Sequence, residues 1–294
     1  LAKELIKKKY KVFVTSRFYK KNFKNYEYLK ISSNVEFLKL DILNKDEIKK
    51  IIDEINPVKI FYFSGQSSLV KSLKFTKKTF ESNYLGVKNF LEVIEKNKYN
   101  ISFFKANSGY IFDSKSGVIS LKSRLSKSKN PYIKAQIKAY SLIKKFRDKE
   151  VDCHSIIMLQ VESPLRSKHF FIKKVCSHAK LGNKIKVGNI NTVRDYSWAP
   201  EIAQGIYYFS QSKIKDIILS SGIGLSGTQI LDEAYRLNNL KSKNFYQVNK
   251  KYLRDKEIKV LIGRDKNKND LYKKFKWKTK IDGINIVKLM YKLI

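Results

Sequence analysis

Apolar positions along the chain switch repeatedly between two periods. Lys11-Val12-Phe13-Val14-Thr15 and Val35-Glu36-Phe37-Leu38-Lys39-Leu40 read as strands, while Ile48, Ile51 and Ile52 fall on one face of a helix over 46–55. Pro57 restarts the chain, and Lys59-Ile60-Phe61-Tyr62-Phe63 is a nearly continuous apolar run suited to a buried parallel strand. The pattern continues with a helix over 80–94, a strand over 101–104, a helix over 131–146 and a strand over 153–159. Residues 1–9 read as the end of a helix. Strand and helix alternating at this spacing predict βαβ units and an α/β fold with a doubly wound parallel sheet. After Pro164 the rhythm changes. Helical patterns over 170–181, 201–210 and 228–237 are separated by short strands at 185–187 and 217–219. The expected organisation is one domain over 1–164 and a smaller C-terminal α/β substrate lobe over 165–294, some of whose segments return to the main sheet. Residues 241–256 read as the loosest segment.

Composition changes this picture little. A chain of 294 residues, 43% of them hydrophobic, can bury one large core or a core plus a smaller lobe. The net charge of +36, from 62 Lys and Arg against 26 Asp and Glu, invites a nucleic-acid partner. Only 8 of the basic residues are Arg, however, and the lysines run from Lys3 to Lys292 without gathering in one arm. A lysine-rich coding bias on an ordinary surface accounts for them, so no nucleic-acid partner is expected. The basic field still favours a phosphorylated, acidic small molecule. Cys153 and Cys176 are too few for a disulfide framework, which suits a reducing cytoplasm. Cys153 and His154 point to opposite faces of a strand, and Cys176 and His178 diverge on a helix, so no metal site is expected. No apolar run approaches the ~18 uncharged residues of a membrane span.

The chemistry lies at strand ends. In a doubly wound sheet a dinucleotide sits at the carboxyl ends of the strands, its pyrophosphate on a glycine-rich first turn. That first strand and turn would lie before Leu1, so the expected sheet lacks both. At the end of the second strand, Thr15-Ser16-Arg17 offers an Arg and no carboxylate, which favours the 2′-phosphate of NADP. Asp41-Ile42 follows the third strand, where an adenine would lie. Phe63 and Ser64-Gly65-Gln66-Ser67 follow the fourth, and Gly65 permits close approach of backbone to a cofactor. The bland alternative for each is an ordinary strand-to-helix turn. Ala106-Asn107-Ser108-Gly109-Tyr110 ends the fifth strand, and Asn130-Pro131-Tyr132 opens the next helix. A Ser near a Tyr beside a nicotinamide is the arrangement of short-chain dehydrogenases, whose phenol exchanges a proton with a sugar hydroxyl. Normally a Lys four residues on lowers that phenol's pKa by its charge. Here the fourth residue is Gln136.

With these pieces the chain resembles the extended short-chain dehydrogenase/reductase (NAD-dependent epimerase/dehydratase) superfamily and, within it, the GDP-mannose 4,6-dehydratases. The resemblance rests on Gln66-Ser67, on Glu162-Ser163-Pro164-Leu165-Arg166, and on Gly188-Asn189 leading to Arg194-Asp195-Tyr196. Leu261-Ile262-Gly263, a helix and Lys276-Trp277 complete it. The Glu-Ser-Pro-x-Arg and Gly-Asn-x₄-Arg-Asp-aromatic pair is the most specific part.

The resemblance implies a Rossmann-like NADP-binding domain, a nucleotide-sugar-binding lobe, a homo-oligomer (dimer or tetramer) and a cytoplasmic lyase. Such enzymes convert GDP-mannose to GDP-4-keto-6-deoxymannose by oxidation at C4, elimination of water across C5–C6 and hydride return to C6. Carried over residue by residue, Ser108 takes the place of the family's Thr, and Tyr132 keeps the Tyr. Tyr110 replaces the Glu that removes the C5 proton, and Gln136 replaces the Lys. Val161 stands where the family has a His near the cofactor, while Arg166 is retained. Gln160, Asn189, Arg194 and Arg254 are the candidates for the nucleotide sugar, the guanidinium groups for its phosphates. The two replacements weigh against activity. A phenol of reference pKa ~10 is a poor base at neutral pH, and Gln136 brings no charge. Lys134 and Lys138 point ~200° and ~240° away from Tyr132 around the helix. The alternative is a catalytically degenerate member serving as a nucleotide-sugar or NADP-binding assembly partner.

Overall fold

The computed structural model describes residues 1–18, 23–253 and 257–294. The first elements are α1 (Ala2–Lys7), β1 (Val12–Ser16), α2 (Phe23–Tyr28), β2 (Val35–Lys39), α3 (Lys45–Ile55) and β3 (Lys59–Tyr62). Next come α4 (Leu69–Lys74), α5 (Thr76–Phe80), a π-helical turn (Glu81–Leu85), α6 (Gly86–Lys96), β4 (Ser102–Ser108) and β5 (Val118–Ile119). α7 (Pro131–Arg147), β6 (Cys153–Met158), β7 (Gln160–Glu162), α8 (Phe171–Lys180), β8 (Ile185–Val187) and β9 (Val193–Trp198) follow. The chain closes with α9 (Ala199–Phe209), β10 (Asp216–Leu219), β11 (Gly224–Ser226), α10 (Gly227–Arg236), β12 (Tyr246–Val248), β13 (Val260–Gly263), α11 (Asn267–Phe275) and α12 (Ile284–Leu293).

The chain divides into two compact units. The first comprises Leu1–Asp113, Arg124–Ile157 and Ile206–Ile217, the second Ser114–Ser123, Met158–Gly205 and Ile218–Ile294.

In the first unit β1 and β2 pair in parallel with Ser16 opposite Lys39, and β3 and β4 pair in parallel with Tyr62 opposite Lys105. The former are a two-stranded sheet; the latter belong to a four-stranded sheet ordered β10-β6-β4-β3. Parallel pairs joined through helices are the α/β architecture that the alternation of periods predicts. β3 is an outer strand of its sheet, so of its apolar run only Tyr62 is fully buried. The core gathers Ile48 and Ile52 of α3, Leu91 and Ile94 of α6, Phe103 of β4 and Ile143 of α7. α3 shows why these residues make a helix. Asn44 Oδ1 accepts from the amides of Asp46 (3.0 Å) and Glu47 (3.2 Å), and Asn56 ends the helix in the left-handed region at φ 46°.

Two expectations are corrected. The helix expected over 80–94 begins at Thr76 and carries the π turn before α6. That wider turn accommodates buried Asn83, whose Nδ2 donates to Thr79 O (2.9 Å) and Gln66 O (3.1 Å), an arrangement that a 3.6-residue period does not reveal. Of residues 241–256, expected to be loose, 254–256 lie outside the described residues, and 241–253 contain β12, which pairs in parallel with β8 (Tyr246 opposite Ile185). Phe245 anchors it by stacking on Tyr235 at 5.1 Å.

In the second unit β9 pairs with β7 and β13 in parallel and with β11 in antiparallel register, and β13 also pairs with β5. Arg194, Asp195, Tyr196, Ser197 and Trp198 of β9 are all buried. Asp195 is tolerated there because it accepts from Ser221 N (3.0 Å) and Oγ (2.6 Å), Gly222 N (2.9 Å) and Gly263 N (3.2 Å). The core is built from Ile172 and Val175 of α8, Ile230 and Leu231 of α10, and Ile286 and Val287 of α12. A capping box between Ser226 and Gln229 starts α10.

Candidate active site

The first turn of α7 fixes the central group. Asn130 Oδ1 accepts from the amides of Tyr132 (3.0 Å) and Ile133 (3.5 Å), with Pro131 preset at the first helical position. The buried Tyr132 phenol faces Ser108, at the end of β4, and Gln136, one turn along α7. Ser108 Oγ also accepts from Tyr110 N at 3.3 Å. The structure thus brings together Ser108, Tyr132 and Gln136, with Tyr110 beside them. Burial pushes the Tyr132 phenol above its ordinary value. Ser108 and Gln136 pull it down, and Tyr110 pushes it up.

A polar chain continues behind Gln136. Its Nε2 donates to Asn83 Oδ1 at 2.8 Å, and its Oε1 accepts from Lys105 Nζ at 3.4 Å. Lys105, only 1% exposed, also donates to Ala106 O and lies 5.6 Å over the ring of Tyr62. Burial pushes its ammonium down to about 7. Sequence reasoning missed this residue, because one more lysine among so many basic residues carries no signal. What could have marked it is its place in a strand, directly after Phe103-Phe104. Asn107, also on β4, is buried with neither amide atom hydrogen bonded among the described residues.

The loop after β3 leaves Phe63, Ser64, Gly65 and Ser67 exposed. Gly65 sits at φ +145° with its backbone pressed on the site: a Cβ there would lie 2.3 Å from Asn83 Oδ1. Arg17, beyond β1, is exposed with its guanidinium 5.9 Å from the ring of Phe18. Asp41 forms the entry to α3, accepting from Leu43 N (3.0 Å) and donating its amide to Glu47 Oε2 (2.9 Å). Ile42 packs on the core, and its carbonyl accepts from Asn89 Nδ2 at 3.1 Å.

The second unit brings Gln160 and Arg166 together around buried Glu162. Arg166 donates to Glu162 Oε1 and, at 3.0 Å, to Gln160 Oε1, while its guanidinium lies 3.7 Å over the ring of Phe170. Burial pushes the Glu162 carboxyl up to about 7, outweighing the opposing pull of Arg166, and Oε2 has no hydrogen-bond partner among the described residues. Glu162 opens the Glu-Ser-Pro-x-Arg motif, where its sequence position alone gives no sign of a buried, part-unsatisfied carboxyl. Val161 between them is half-buried on β7. Asn189 is exposed and accepts from Asn191 N at 3.0 Å. Arg194 is buried, with its donors on Val193 O (2.9 Å) and Lys259 O (3.3 Å) and an ion pair to Glu257 at 3.8 Å. Arg254 lies outside the described residues. Among the described residues no group of three or more His, Cys, Asp or Glu could hold a metal ion, and no helix is long and apolar enough to cross a membrane.

The fold is that of Rossmann-like nucleotide-sugar epimerases and dehydratases. It is shared with a UDP-glucose 4-epimerase from Thermotoga maritima, solved with UDP-glucose (TM-score 0.84, 16% identity, 98% of this chain and 92% of that one). It is shared equally with a dTDP-glucose 4,6-dehydratase from Bacillus anthracis, solved with NAD (TM-score 0.81, 15% identity, 98% of this chain and 90% of that one). A family model described as GDP-mannose 4,6 dehydratase matches residues 1–290. The chain belongs to that family. GDP-mannose 4,6 dehydratase 1 of Arabidopsis thaliana is 23% identical over 262 residues, covering 85% of this chain and 71% of the relative. GDP-mannose 4,6 dehydratase 2 of Caenorhabditis elegans is 23% identical over 277 residues, with the same coverage of 85% and 71%.

Proposed function

We propose that the chain is an NADP-dependent GDP-mannose 4,6-dehydratase whose chemistry is carried by Ser108 and Tyr132. The observation that carries this reading is the placement of the Ser108 hydroxyl, at the end of a parallel strand, beside the buried Tyr132 phenol, whose pKa it lowers. The residues fit a nicotinamide nucleotide. Asn107 keeps two buried amide atoms without a partner among the described residues, beside Ser108, and Phe63 offers an exposed ring at the neighbouring strand end. Arg17, Ser64, Gly65 and Ser67 would complete the hold on the nucleotide, Arg17 on a 2′-phosphate. A nicotinamide nucleotide held by these residues would supply reversible hydride transfer there. Once its own proton has passed to solvent, the Tyr132 phenolate accepts the proton of the sugar hydroxyl, and Ser108 is placed to hold the phenol oxygen in line. Tyr110 stands where a carboxylate would take the C5 proton, a slow base at neutral pH. Gln160, Asn189 and Arg254 serve the nucleotide sugar. The same reading carries a homo-oligomer in the cytoplasm.

Incubation with GDP-mannose and NADP, followed by NMR of the sugar, is expected to give a 4-keto-6-deoxy product. Tyr132→Phe should reduce turnover by about 10²–10⁴-fold. A second reading is favoured by Tyr110 and Gln136 themselves, which supply neither carboxylate nor charge. Retained NADP binding with no product, even after Tyr110→Glu with Gln136→Lys, would establish a binding or assembly role instead.

A further inference from the structure

The polar chain behind Tyr132 has one permitted orientation. At one end Asn83 meets two carbonyls, Thr79 O and Gln66 O, so its Nδ2 must face them and its Oδ1 must face Gln136. At the other end the Lys105 ammonium only donates, so it requires the amide oxygen of Gln136. Both ends therefore turn Gln136 the same way, with Nε2 toward Asn83 and Tyr132. One Nε2 hydrogen goes to Asn83 Oδ1; the second is left for the Tyr132 oxygen beside it, whose pKa Gln136 lowers. When Tyr132 gives up its proton, that N–H donates to a phenolate and stabilises it.

We propose that Lys105 is a positioning residue that, through Gln136, takes over on β4 the service a lysine at 136 would give directly. This rests on Tyr132 being the proton-exchanging phenol of the proposed function. The other lysines of α7 do not compete for the role: Lys134 is exposed, and Lys138 lies over the rings of Phe80 (5.2 Å) and Tyr84 (5.7 Å).

The arrangement is sensitive to pH. Burial brings the Lys105 titration down to about 7. Above it the neutral amine accepts as well as donates and no longer dictates how the Gln136 amide turns. The titratable groups facing Lys105 are Tyr62 from β3 and, across Gln136, Tyr132 from α7 with Tyr110 beside it. Tyr62 donates to Ser82 O at 2.7 Å, and burial pushes its phenol up, as it does that of Tyr132, so both stay protonated through neutrality. Among the described residues no carboxylate pairs with Lys105.

The test follows the Gln136 side-chain amide by NMR of the full ¹⁵N-labelled chain, its signals assigned from Gln136→Leu. Between about pH 6 and pH 9 they are expected to shift with a midpoint near neutrality. In Lys105→Met they should hold still. Signals that do not move in the unaltered chain, or that move alike in Lys105→Met, overturn the proposal. The second variant is the exchange Lys105→Gln with Gln136→Lys. With GDP-mannose, Lys105→Met should lose up to about 100-fold in kcat with KM unchanged. The exchange should recover most of that loss and move the alkaline limb of the pH–rate profile upward by about one unit or more. An exchange no better than Lys105→Met also overturns it. The NMR titration uses neither sugar nor nucleotide. A titrating Gln136 in a chain that makes no product therefore removes the dehydratase reading, and with it the service to Tyr132, while the coupling of Lys105 to Gln136 stands. A Gln136 that does not titrate in a chain that makes product removes the coupling alone.

Discussion

Tyr132 and Glu162 are both acids that burial holds toward their neutral forms, and in both cases the neighbours only partly counter it. For Glu162 this has a measurable sign. Its folded value, about 7, lies above the ordinary 4.5, so between those values the folded chain binds a proton that the unfolded chain has lost. Stability therefore falls as pH rises from about 4.5 to about 7 and is insensitive to this group outside that window. Urea midpoints compared with Glu162→Gln should show the unaltered chain losing ground across that window. A difference that stays constant, or that grows in the other direction, would contradict the assignment. At this scale the sequence was informative where a hydroxyl stands at an element's end, Ser108 closing β4 and Tyr132 in the first turn of α7. It was silent on Lys105, whose meaning comes only from being buried beside Gln136, and on Arg194, whose donors turn inward to carbonyls.

Asn130 ties elements together. Besides capping α7 it donates from Nδ2 to Leu69 O of α4 (3.1 Å), and its Oδ1 accepts from Ser72 Oγ (3.2 Å). Asn130→Ala should cost about 0.5–2 kcal/mol in denaturant unfolding. It should also lower turnover more than Asn130→Asp, which keeps the cap acceptor over Tyr132. Equal turnover in the two variants would mean that the cap does not set the position of the phenol. The helices and parallel strands of the first unit were legible because their apolar faces obey one period each, as Ile48 and Ile52 do on α3. The π turn was not, since one extra residue within a helix leaves the flanking apolar positions in place. β9 escaped too, because its buried Arg194 and Asp195 look like surface residues until their partners are known.

Across the whole molecule the net charge of +36 must repel itself in the folded state. Screening shortens from about 10 Å at 0.1 M salt to about 3 Å at 1 M. Thermal midpoints should accordingly rise with sodium chloride, by about 2–4 °C for each kcal/mol of repulsion relieved. Melting temperatures that stay flat or fall would show that the ion pairs already formed outweigh the excess charge. The overall α/β class could be read from the alternation of periods, whereas the division into units depends on contacts between segments far apart in sequence. Those segments alternate between the two units in six stretches, so the chain crosses from one to the other five times between residues 113 and 218. A gene break anywhere in that interval severs both partners at once. Neither can be transplanted onto another protein or released by a protease as a self-contained piece.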